Sequence, residues 1–332
     1  MPRARDLGLV IGQHPPGPLN AITDVAGVAV GHLTLIKGER TRTGATAIVP
    51  HPGNAFADKV PAGIAVLNGY GKFAGSTQIE ELGEIESPIL LTNTLAVGRA
   101  IEALLAQTLA TNPQATSINA VVGETNDGRL NDIRAGRPSV AELRAALAAA
   151  RTGPLAEGAV GAATGTVAFG LKGGIGTASR LVGGWVLGVL VQANYGGTLR
   201  VNGAAVAASP AHDADGSVVI VLATDAPLCP RNLKRLAMRA FGGIARTGGA
   251  LSNGSGDYAL AFSTHESLRR TPARRANVTD MPVLPNERCS PLFEAAIEAT
   301  EEAVLNAMLM AGDMAGWDAG TAQPSFFAGL RL

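Results

Sequence analysis

The first part of the chain shows the alternation of apolar and polar positions that is typical of strands. An alternating apolar pattern over residues 25–35 predicts a strand, and short apolar runs at 46–50 and 65–67 predict two more. Glycine-rich segments such as 68–75 separate these runs. The pattern therefore indicates short buried strands joined by tight turns.

Helical spacing appears first over residues 95–110, and Asn93 or Thr94 suits the N-cap of that helix. Ser139 and Glu142 have the spacing of a capping box, which predicts a second helix that begins there. The first half of the chain therefore contains both element types.

The later part of the chain mixes strands and helices in the same way. Continuous apolar runs at 184–193 and 217–223 predict core strands, and 257–263 predicts another. Apolar residues at helical spacing predict helices over 230–245 and 293–309.

The composition supports a large buried core. The chain has 332 residues, of which 46% are hydrophobic and 16% are charged, so extended disorder is not expected. Glycine is abundant, with 42 residues, which favours close approach between backbone segments. No linker-like segment divides the chain, and we predict a single α/β domain over residues 1–332.

The charge balance argues against nucleic acid and membranes as partners. The 27 basic and 27 acidic residues give zero net charge, and the basic run at 269–275 is predicted to be a solvated loop. No apolar stretch reaches the about 18 residues of a membrane span, and the first residues lack a signal-peptide pattern. With two cysteines predicted to be free thiols, Cys229 and Cys289, we expect a cytoplasmic protein.

Residues 250–264 carry the most informative pattern, a Gly/Ser/Asn turn that leads into an apolar strand with Ser255 at the junction. If the Gly254–Ser255 bond is broken, Ser255 gains a free α-amine beside its own hydroxyl. An α-amine has a pKa of about 7.7–8.0, so it can take the hydroxyl proton near neutral pH. The hydroxyl could itself open the bond by attacking the preceding carbonyl in an N-to-O acyl shift.

The flanking residues Gly254 and Gly256 remove crowding around Ser255 and permit unusual backbone angles. The same residues also suit an ordinary glycine-rich turn in which Ser255 bonds only to the backbone. Spacing alone favours that alternative.

No competing nucleophile or metal motif is evident. The chain lacks an HExxH pair and a GxSxG elbow with suitable partners, and its glycine-rich runs lack the ending of a phosphate-binding loop. The histidines are dispersed without metal-ligand spacing, at His14, His32, His51, His212 and His265. We therefore expect no metal site.

Ten motifs, in order, resemble those of peptidase family S58, the self-processing L-aminopeptidase/D-esterase and β-peptidyl aminopeptidase group. They include NAITDVAGVAVGH (20–32), VVGETNDGRLNDIR (121–134), EGAVGAATGTVAFGLKGGIGTASR (157–180) and SNGSGDYALAFST (252–264). Their order over nearly the whole chain is more specific than any single motif. The resemblance reverses the preference for a plain turn at Ser255.

The resemblance implies a four-layer αββα sandwich like that of N-terminal-nucleophile hydrolases. It implies cleavage into an α chain, 1–254, and a β chain, 255–332, and assembly of these heterodimers into a homo-oligomer. The implied enzyme is a serine aminopeptidase that removes N-terminal residues from short peptides, amides or esters. Its nucleophile would be the Ser255 hydroxyl and its base the freed α-amine, with no metal or organic cofactor.

The resemblance also suggests roles for other residues. Glu157 is expected to bind the free ammonium group of the substrate, with Glu124 as the rival for that role. Asn194 and Asn232 are candidates to donate an amide N–H to the oxyanion, and Asn232 could equally cap the helix that it begins. Glu301 is expected to position the nucleophile or to move its proton.

Two observations leave alternatives open. Glu298 and Glu302 share the predicted helix of Glu301, so two of these three carboxylates could face solvent. Phe169 stands where some members have a tyrosine hydroxyl near the oxyanion, which would remove one donor. The alternatives are an acyltransferase of the ornithine acetyltransferase type and an unprocessed relative that binds a small amino compound.

Overall fold

Two β-sheets lie face to face in the computed structural model, which describes residues 1–208 and 216–332. The strands, in chain order, are β1 (Ala29–Lys37), β2 (Thr41–Val49), β3 (Val60–Gly69), β4 (Phe73–Ala74), β5 (Glu84–Ile85), β6 (Ile89–Asn93), β7 (Val121–Thr125), β8 (Val167–Ala168), β9 (Leu171–Lys172), β10 (Gly174–Val182), β11 (Trp185–Asn194), β12 (Thr198–Val201), β13 (Ala204–Ala208), β14 (Ser217–Thr224), β15 (Gly256–Ser263), β16 (Met314–Asp318) and β17 (Gln323–Phe327). The α-helices are α1 (Ser76–Leu82), α2 (Val97–Thr111), α3 (Val140–Ala148), α4 (Pro230–Arg246), α5 (Pro272–Arg275) and α6 (Ser290–Leu309).

One sheet has five strands in the order β1-β2-β6-β7-β4, and the other has six in the order β10-β11-β14-β15-β3-β5. Strands β14 and β15 are parallel, and α4 forms the crossover between them. β15 pairs with β3 on its other side in antiparallel fashion. β15 therefore lies inside the six-stranded sheet.

Three hydrophobic cores define four layers. The core between the sheets contains residues from both, including Ile48 and Leu260. The outer face of the six-stranded sheet packs on α4 and α6, and the outer face of the five-stranded sheet packs on α2 and α3. Because both faces of each sheet are covered, central strands such as β14 are buried at every position. The predicted αββα sandwich is confirmed.

Glycines allow the outer helices to lie close to the six-stranded sheet. A Cβ on Gly176 would lie 1.9 Å from the carbonyl oxygen of Ala303 in α6, and one on Gly63 would lie 2.2 Å from the backbone nitrogen of Lys234 in α4. These close approaches account in part for the high glycine content.

The local sequence signals agree with the structure at several helix ends. The Ser139 hydroxyl accepts from the Glu142 N–H, and the Glu142 carboxylate accepts from the Ser139 N–H, as predicted. The Asn93 side chain caps the 3-10 turn that precedes α2. The basic segment at 269–275 differs from the prediction in containing one helical turn, α5.

Buried ion pairs attach the N-terminal arm and β10 to α6. The Arg180 guanidinium lies 2.7 Å from the Glu302 carboxylate and 3.3 Å from that of Glu298, and Arg5 lies 2.8 Å from Glu302. Asn20 also donates to Glu302, at 2.6 Å. Glu298 and Glu302 are therefore buried and paired, contrary to the expectation that they could face solvent.

We expect Arg180→Met to lower the denaturant midpoint of unfolding substantially, because Glu298 would stay buried without its cation and Glu302 would keep only Arg5. Removing one partner of a buried pair costs about 3–5 kcal/mol. Chemical denaturation followed by circular dichroism measures this change. Arg331→Met, which removes an exposed pair with Asp313, is the control and should leave the midpoint unchanged. Equal midpoints for both variants would contradict the prediction.

Candidate active site

Ser255 lies one residue before β15 and is only 2% exposed. Its N–H donates to the Ser252 carbonyl at 3.0 Å, which closes a tight turn over residues 252–255. The next residue, Gly256, donates its N–H to the Gly216 carbonyl at 3.2 Å and enters the sheet. The serine is thus held where an irregular turn becomes a central strand.

Asn68, near the end of β3, holds this turn from the neighbouring strand. Its side-chain amide donates to the carbonyls of Ser252, at 3.0 Å, Asn253, at 2.9 Å, and Ser255. Asn68 also faces Asp257 in the β15–β3 register. A side chain from the first half of the chain therefore fixes the backbone around the Gly254–Ser255 bond.

The backbone around Ser255 is crowded and locally strained. A Cβ on Gly256 would lie 2.9 Å from the Tyr70 carbonyl oxygen, so this position requires glycine for close approach. Leu251, just before the turn, has a φ of 50°, in the left-handed region that branched and bulky residues avoid. Strained residues of this kind concentrate at functional sites.

The Ser255 hydroxyl donates a hydrogen bond of 2.6 Å to Oδ1 of Asp257. Asp257 is fully buried, and burial raises the pKa of its carboxyl, while the bond from Ser255 opposes that rise. Its other oxygen, Oδ2, has no hydrogen-bond partner within the described ranges 1–208 and 216–332. The hydroxyl therefore already contacts a group that can accept its proton.

Asn194 lies on the other side of the serine. It ends β11, pairs with Ser217 of β14, and Ser217 in turn pairs with Gly256. The Asn194 amide donates to the Ser217 hydroxyl at 3.3 Å and accepts the Val167 N–H at 3.0 Å. These two bonds fix the Asn194 side chain beside Ser217, the residue of β14 that pairs with Gly256.

The loop that orients Asn194 is itself held by a buried lysine. The Lys172 ammonium donates to the carbonyls of Ala163, Thr166 and Gly173 at 2.7–3.0 Å. Burial lowers the pKa of Lys172 to about 7. The Lys172 side chain thus links three carbonyls of the loop and so supports the Val167 contact with Asn194.

Phe169 lies in the same loop with a φ of 51° and is buried. Its ring packs edge-on against Tyr195, with centroids 5.0 Å apart. The Tyr195 hydroxyl bonds to Thr247 at 3.1 Å. Burial raises the pKa of Tyr195, and the negative charge of Asp257 adds to the rise.

Glu124 lies in β7 of the opposite sheet and is 3% exposed. A nearby lysine partly balances the negative charge of its carboxylate. Its carboxylate accepts the Lys72 N–H at 3.0 Å and the Thr94 hydroxyl, and the Lys72 ammonium lies 3.5 Å away. The carboxylate is thus fixed in place, with an exposed lysine as its cation.

The backbone of Gly71 lies between Glu124 and the start of β15. A Cβ on Gly71 would lie 3.2 Å from Glu124 Oε1 and 3.3 Å from the Tyr258 hydroxyl, and one on Gly256 would lie 3.3 Å from Gly71 Cα. The pKa of Tyr258 is raised by burial and by the charges of Glu124 and Asp257. The site therefore forms where the ends of the two sheets meet.

Glu157 lies elsewhere, which argues against its expected role. Its carboxylate pairs with Arg3 at 2.7 Å and accepts the Thr177 N–H at 2.8 Å. Thr177 is on β10, three strands from β15, which corresponds to about 14 Å across the sheet. Burial raises the pKa of Glu157 to about 7, and Arg3 opposes this. These contacts attach the N-terminal arm to β10, and the expected role of Glu157 in substrate binding stays a prediction.

Asn232 also lies away from Ser255. It sits in the first turn of α4, donates to Asn286 at 3.2 Å and accepts from Arg235 at 2.8 Å. That end of α4 packs over Gly63, which is level with Ala261, about 16 Å along the strand from Gly256. The expected role of Asn232 as an oxyanion donor stays a prediction. Its side chain makes no helix-cap bond, and the helix is preceded by Cys229.

Glu301 contacts Arg246 at 3.4 Å across the α4–α6 interface. Burial raises the pKa of its carboxyl, and Arg246 opposes this. The carboxylate that contacts the serine hydroxyl is Asp257 instead. Among the described residues Glu301 does not contact Ser255, and its expected role stays a prediction.

The sequence analysis missed three residues of the site: Asn68, Ser217 and Asp257. The sequence contained a signal for Asp257. Residues two apart in an extended segment share a face, so Ser255 and Asp257 point the same way. The other two come close only through the pairing of β3 and β14 with β15.

The part of the chain that the structure describes contains no cluster of three or more His, Cys, Asp or Glu side chains suited to a metal ion. His212 lies outside the described residues. In the same part, no helix is both long and apolar enough to cross a membrane.

The fold and the site define an αββα enzyme with a buried serine at the start of a central strand. A search with family models matches residues 20–322 to peptidase family S58. The chain belongs to that family, as the sequence motifs predicted.

Named relatives share the whole architecture. A β-peptidyl aminopeptidase of Sphingosinicella microcystinivorans is 40% identical over 99% of this chain and 91% of its own length. The structure of a β-aminopeptidase from Burkholderia sp. superimposes with a TM-score of 0.91 over 99% of this chain and 96% of that one, and its sequence is 43% identical. These relatives do not favour the acyltransferase alternative.

A third relative bears on the fold class. The L-aminopeptidase D-Ala-esterase/amidase from Ochrobactrum anthropi, a prototype of the serine aminopeptidases, has a variant of the Ntn hydrolase fold. Its structure is 39% identical, with a TM-score of 0.91 over 100% of this chain and 96% of that one. The αββα layers of this chain agree with that fold class.

We expect Asn68→Ala to loosen the turn before β15, because its carbonyls lose their donor. Each such hydrogen bond contributes about 1 kcal/mol, so amide exchange in a peptide covering 250–257 should rise about tenfold or more. Hydrogen–deuterium exchange in a Ser255→Ala chain measures this while the bond is intact. Asn112→Ala, which removes a contact with Asn54 elsewhere, is the control. Unchanged exchange at 250–257 would refute the role of Asn68.

Proposed function

We propose that this protein is a serine aminopeptidase that becomes active when its own Gly254–Ser255 bond is cleaved. The observation that carries the proposal is the position of Ser255: buried, after a glycine, directly before a central strand, with its hydroxyl bonded to a carboxylate. Membership of peptidase family S58 supports the same reading.

In the mature enzyme, the α-amine of Ser255 is the base. With a pKa of about 7.7–8.0 it is partly neutral at pH 7 and takes the hydroxyl proton as the oxygen attacks the substrate carbonyl. The same amine returns the proton to the leaving group. Water then hydrolyses the acyl-enzyme ester by the reverse sequence of proton transfers.

Asn194 is the proposed oxyanion donor. Its amide is oriented by Val167 and reaches the Ser217 hydroxyl, beside the start of β15. A fixed amide at this place can donate to the charge that develops on the carbonyl oxygen, and such donors contribute about 2.7–4 kcal/mol in other hydrolases.

Glu124 is the proposed binding group for the free ammonium of the substrate. It is buried, is separated from Gly256 by the Gly71 backbone, and its companion cation Lys72 is exposed and able to move aside. A buried carboxylate of this kind selects substrates with a charged amino terminus. The sequence left Glu157 and Glu124 as rivals for this role, and we assign it to Glu124.

The substrates that fit are short peptides, amides or esters with a free N-terminal amine, including the β-peptides named for the relatives. The product of maturation would be a heterodimer of 1–254 and 255–332. We further propose that these heterodimers form a homo-oligomer in the cytoplasm, without a metal or organic cofactor.

Ser255→Ala should abolish both maturation and turnover, because the nucleophile for both steps is lost. Intact-mass spectrometry of the wild type should give fragments ending at Gly254 and beginning at Ser255, and the variant should give one chain with no amidase activity above background. A wild-type chain that stays whole and still releases amino acids would refute the free-amine mechanism.

Glu124→Gln should raise KM for substrates that carry an N-terminal ammonium, because a charge-assisted contact is lost. We expect kcat/KM to fall by about 10–100-fold, as for the loss of about 1.5–3 kcal/mol, with little change for an N-acylated ester of the same acid.

The matched control is Glu157→Gln, which removes a buried carboxylate of the same type from its pair with Arg3. It should leave the ratio of kcat/KM for the two substrates unchanged. If Glu157→Gln lowers that ratio and Glu124→Gln does not, the assignment is reversed.

A further inference from the structure

The proposed maturation needs a base other than the one that acts in turnover. The α-amine of Ser255 is the base for turnover, but before the Gly254–Ser255 bond opens that nitrogen is part of an amide and cannot accept a proton. Cleavage of the chain by itself therefore needs a different base, one that already contacts the hydroxyl in the unbroken chain.

The acidic side chains around the site have distinct partners. Glu124 accepts from Lys72 and Thr94, Glu301 pairs with Arg246, and Asp257 accepts the Ser255 hydroxyl at 2.6 Å. The hydroxyl and the carboxylate sit two residues apart on one face of the strand, so the backbone itself sets their separation.

The nearby histidines do not compete for this role. His32 bonds to Thr46 in the five-stranded sheet, and His265 bonds to Ser267 beyond the far end of β15. His51 bonds to the Asp58 carbonyl and lines a cavity with His265 and Trp185 at that far end. The hydrogen bonds of these three histidines therefore go to residues other than Ser255 and Asp257.

We propose that Asp257 is the catalytic base for cleavage of the Gly254–Ser255 bond, and that the newly freed α-amine replaces it in turnover. This inference rests on the proposed self-cleavage and assigns to it a group separate from the one that serves the mature enzyme.

The proton balance of the step is complete. The Ser255 Oγ attacks the Gly254 carbonyl carbon while its proton passes to Asp257 Oδ1. The C–N bond then breaks, and the nitrogen takes the proton from Asp257 Oδ1. An ester then links Gly254 to Oγ beside a free α-amine. Water hydrolyses the ester to a Gly254 carboxylate and the free hydroxyl, so no further reactant is needed.

The surroundings of Asp257 suit this role. The carboxylate is fully buried and burial raises its pKa, which makes it a stronger base than an exposed aspartate. The titratable groups whose pKa values respond to its charge are Tyr195 and Tyr258, and both pKa values are raised, so both rings stay neutral near pH 7. The second oxygen, Oδ2, has no partner among the described residues, so nothing else competes for the negative charge there.

The test follows cleavage of newly made full-length chain. Wild type, Asp257→Asn and Asp225→Asn are translated in a cell-free system, quenched in denaturant at intervals and resolved on gels. Asp257→Asn should be cut at least about 100-fold more slowly, since general bases contribute that much or more. Asp225→Asn removes a partly buried carboxylate just after the opposite end of β14 and should be cut at the wild-type rate.

A second pair of variants separates proton transfer from folding. A thiol, with a pKa of about 8.5, needs less help to ionise than a hydroxyl. In the Ser255→Cys background, Asp257→Asn should therefore slow cleavage far less than it does with serine. Equal slowing in both backgrounds, or normal cleavage of Asp257→Asn with serine, would overturn the proposal.

The outcomes also separate this inference from the proposed function. If the wild type is not cut before Ser255, the proposed function fails. If the wild type is cut and Asp257→Asn is cut equally fast, only the role of Asp257 fails.

Discussion

The position of β15 between β14 and β3 sets the geometry of the whole site. The parallel pairing aligns Gly256 with Ser217, and the antiparallel pairing aligns it with Gly69. The first contact brings Asn194 to one side of Ser255, and the second brings Asn68 to the other. A shift of one residue in either ladder would turn Ser255 and Asp257 to the opposite face of the sheet.

The sequence predicted the layers better than it predicted the site. Long apolar runs and capping signals located α2, α3, α4 and α6, and the family motifs gave the order of layers. β10 was missed because its glycines and its buried Arg180 do not give an apolar pattern. That arginine is buried only because α6, far along the chain, supplies its carboxylates.

The two candidate carboxylates show why roles were harder to predict than elements. Glu124 and Glu157 each lie in a family motif, and nothing in the local sequence distinguishes their roles. Their tertiary contacts distinguish the two residues. Arg3 pairs with the Glu157 carboxylate, while Glu124 borders the Gly71 backbone beside β15. Asn232 differs from Asn194 in the same way, since the two lie at opposite ends of the six-stranded sheet.

The position of β15 inside the six-stranded sheet constrains the order of synthesis, folding and cleavage. A chain that ended at Gly254 would lack β15, and the facing edges of β14 and β3 would each present unpaired backbone groups. Residues 255–332 alone would likewise leave β15 without neighbours and the carboxylates of α6 without Arg180. Neither piece is a complete folding unit, so the polypeptide has to be synthesised as one and to reach its final form before any scission occurs.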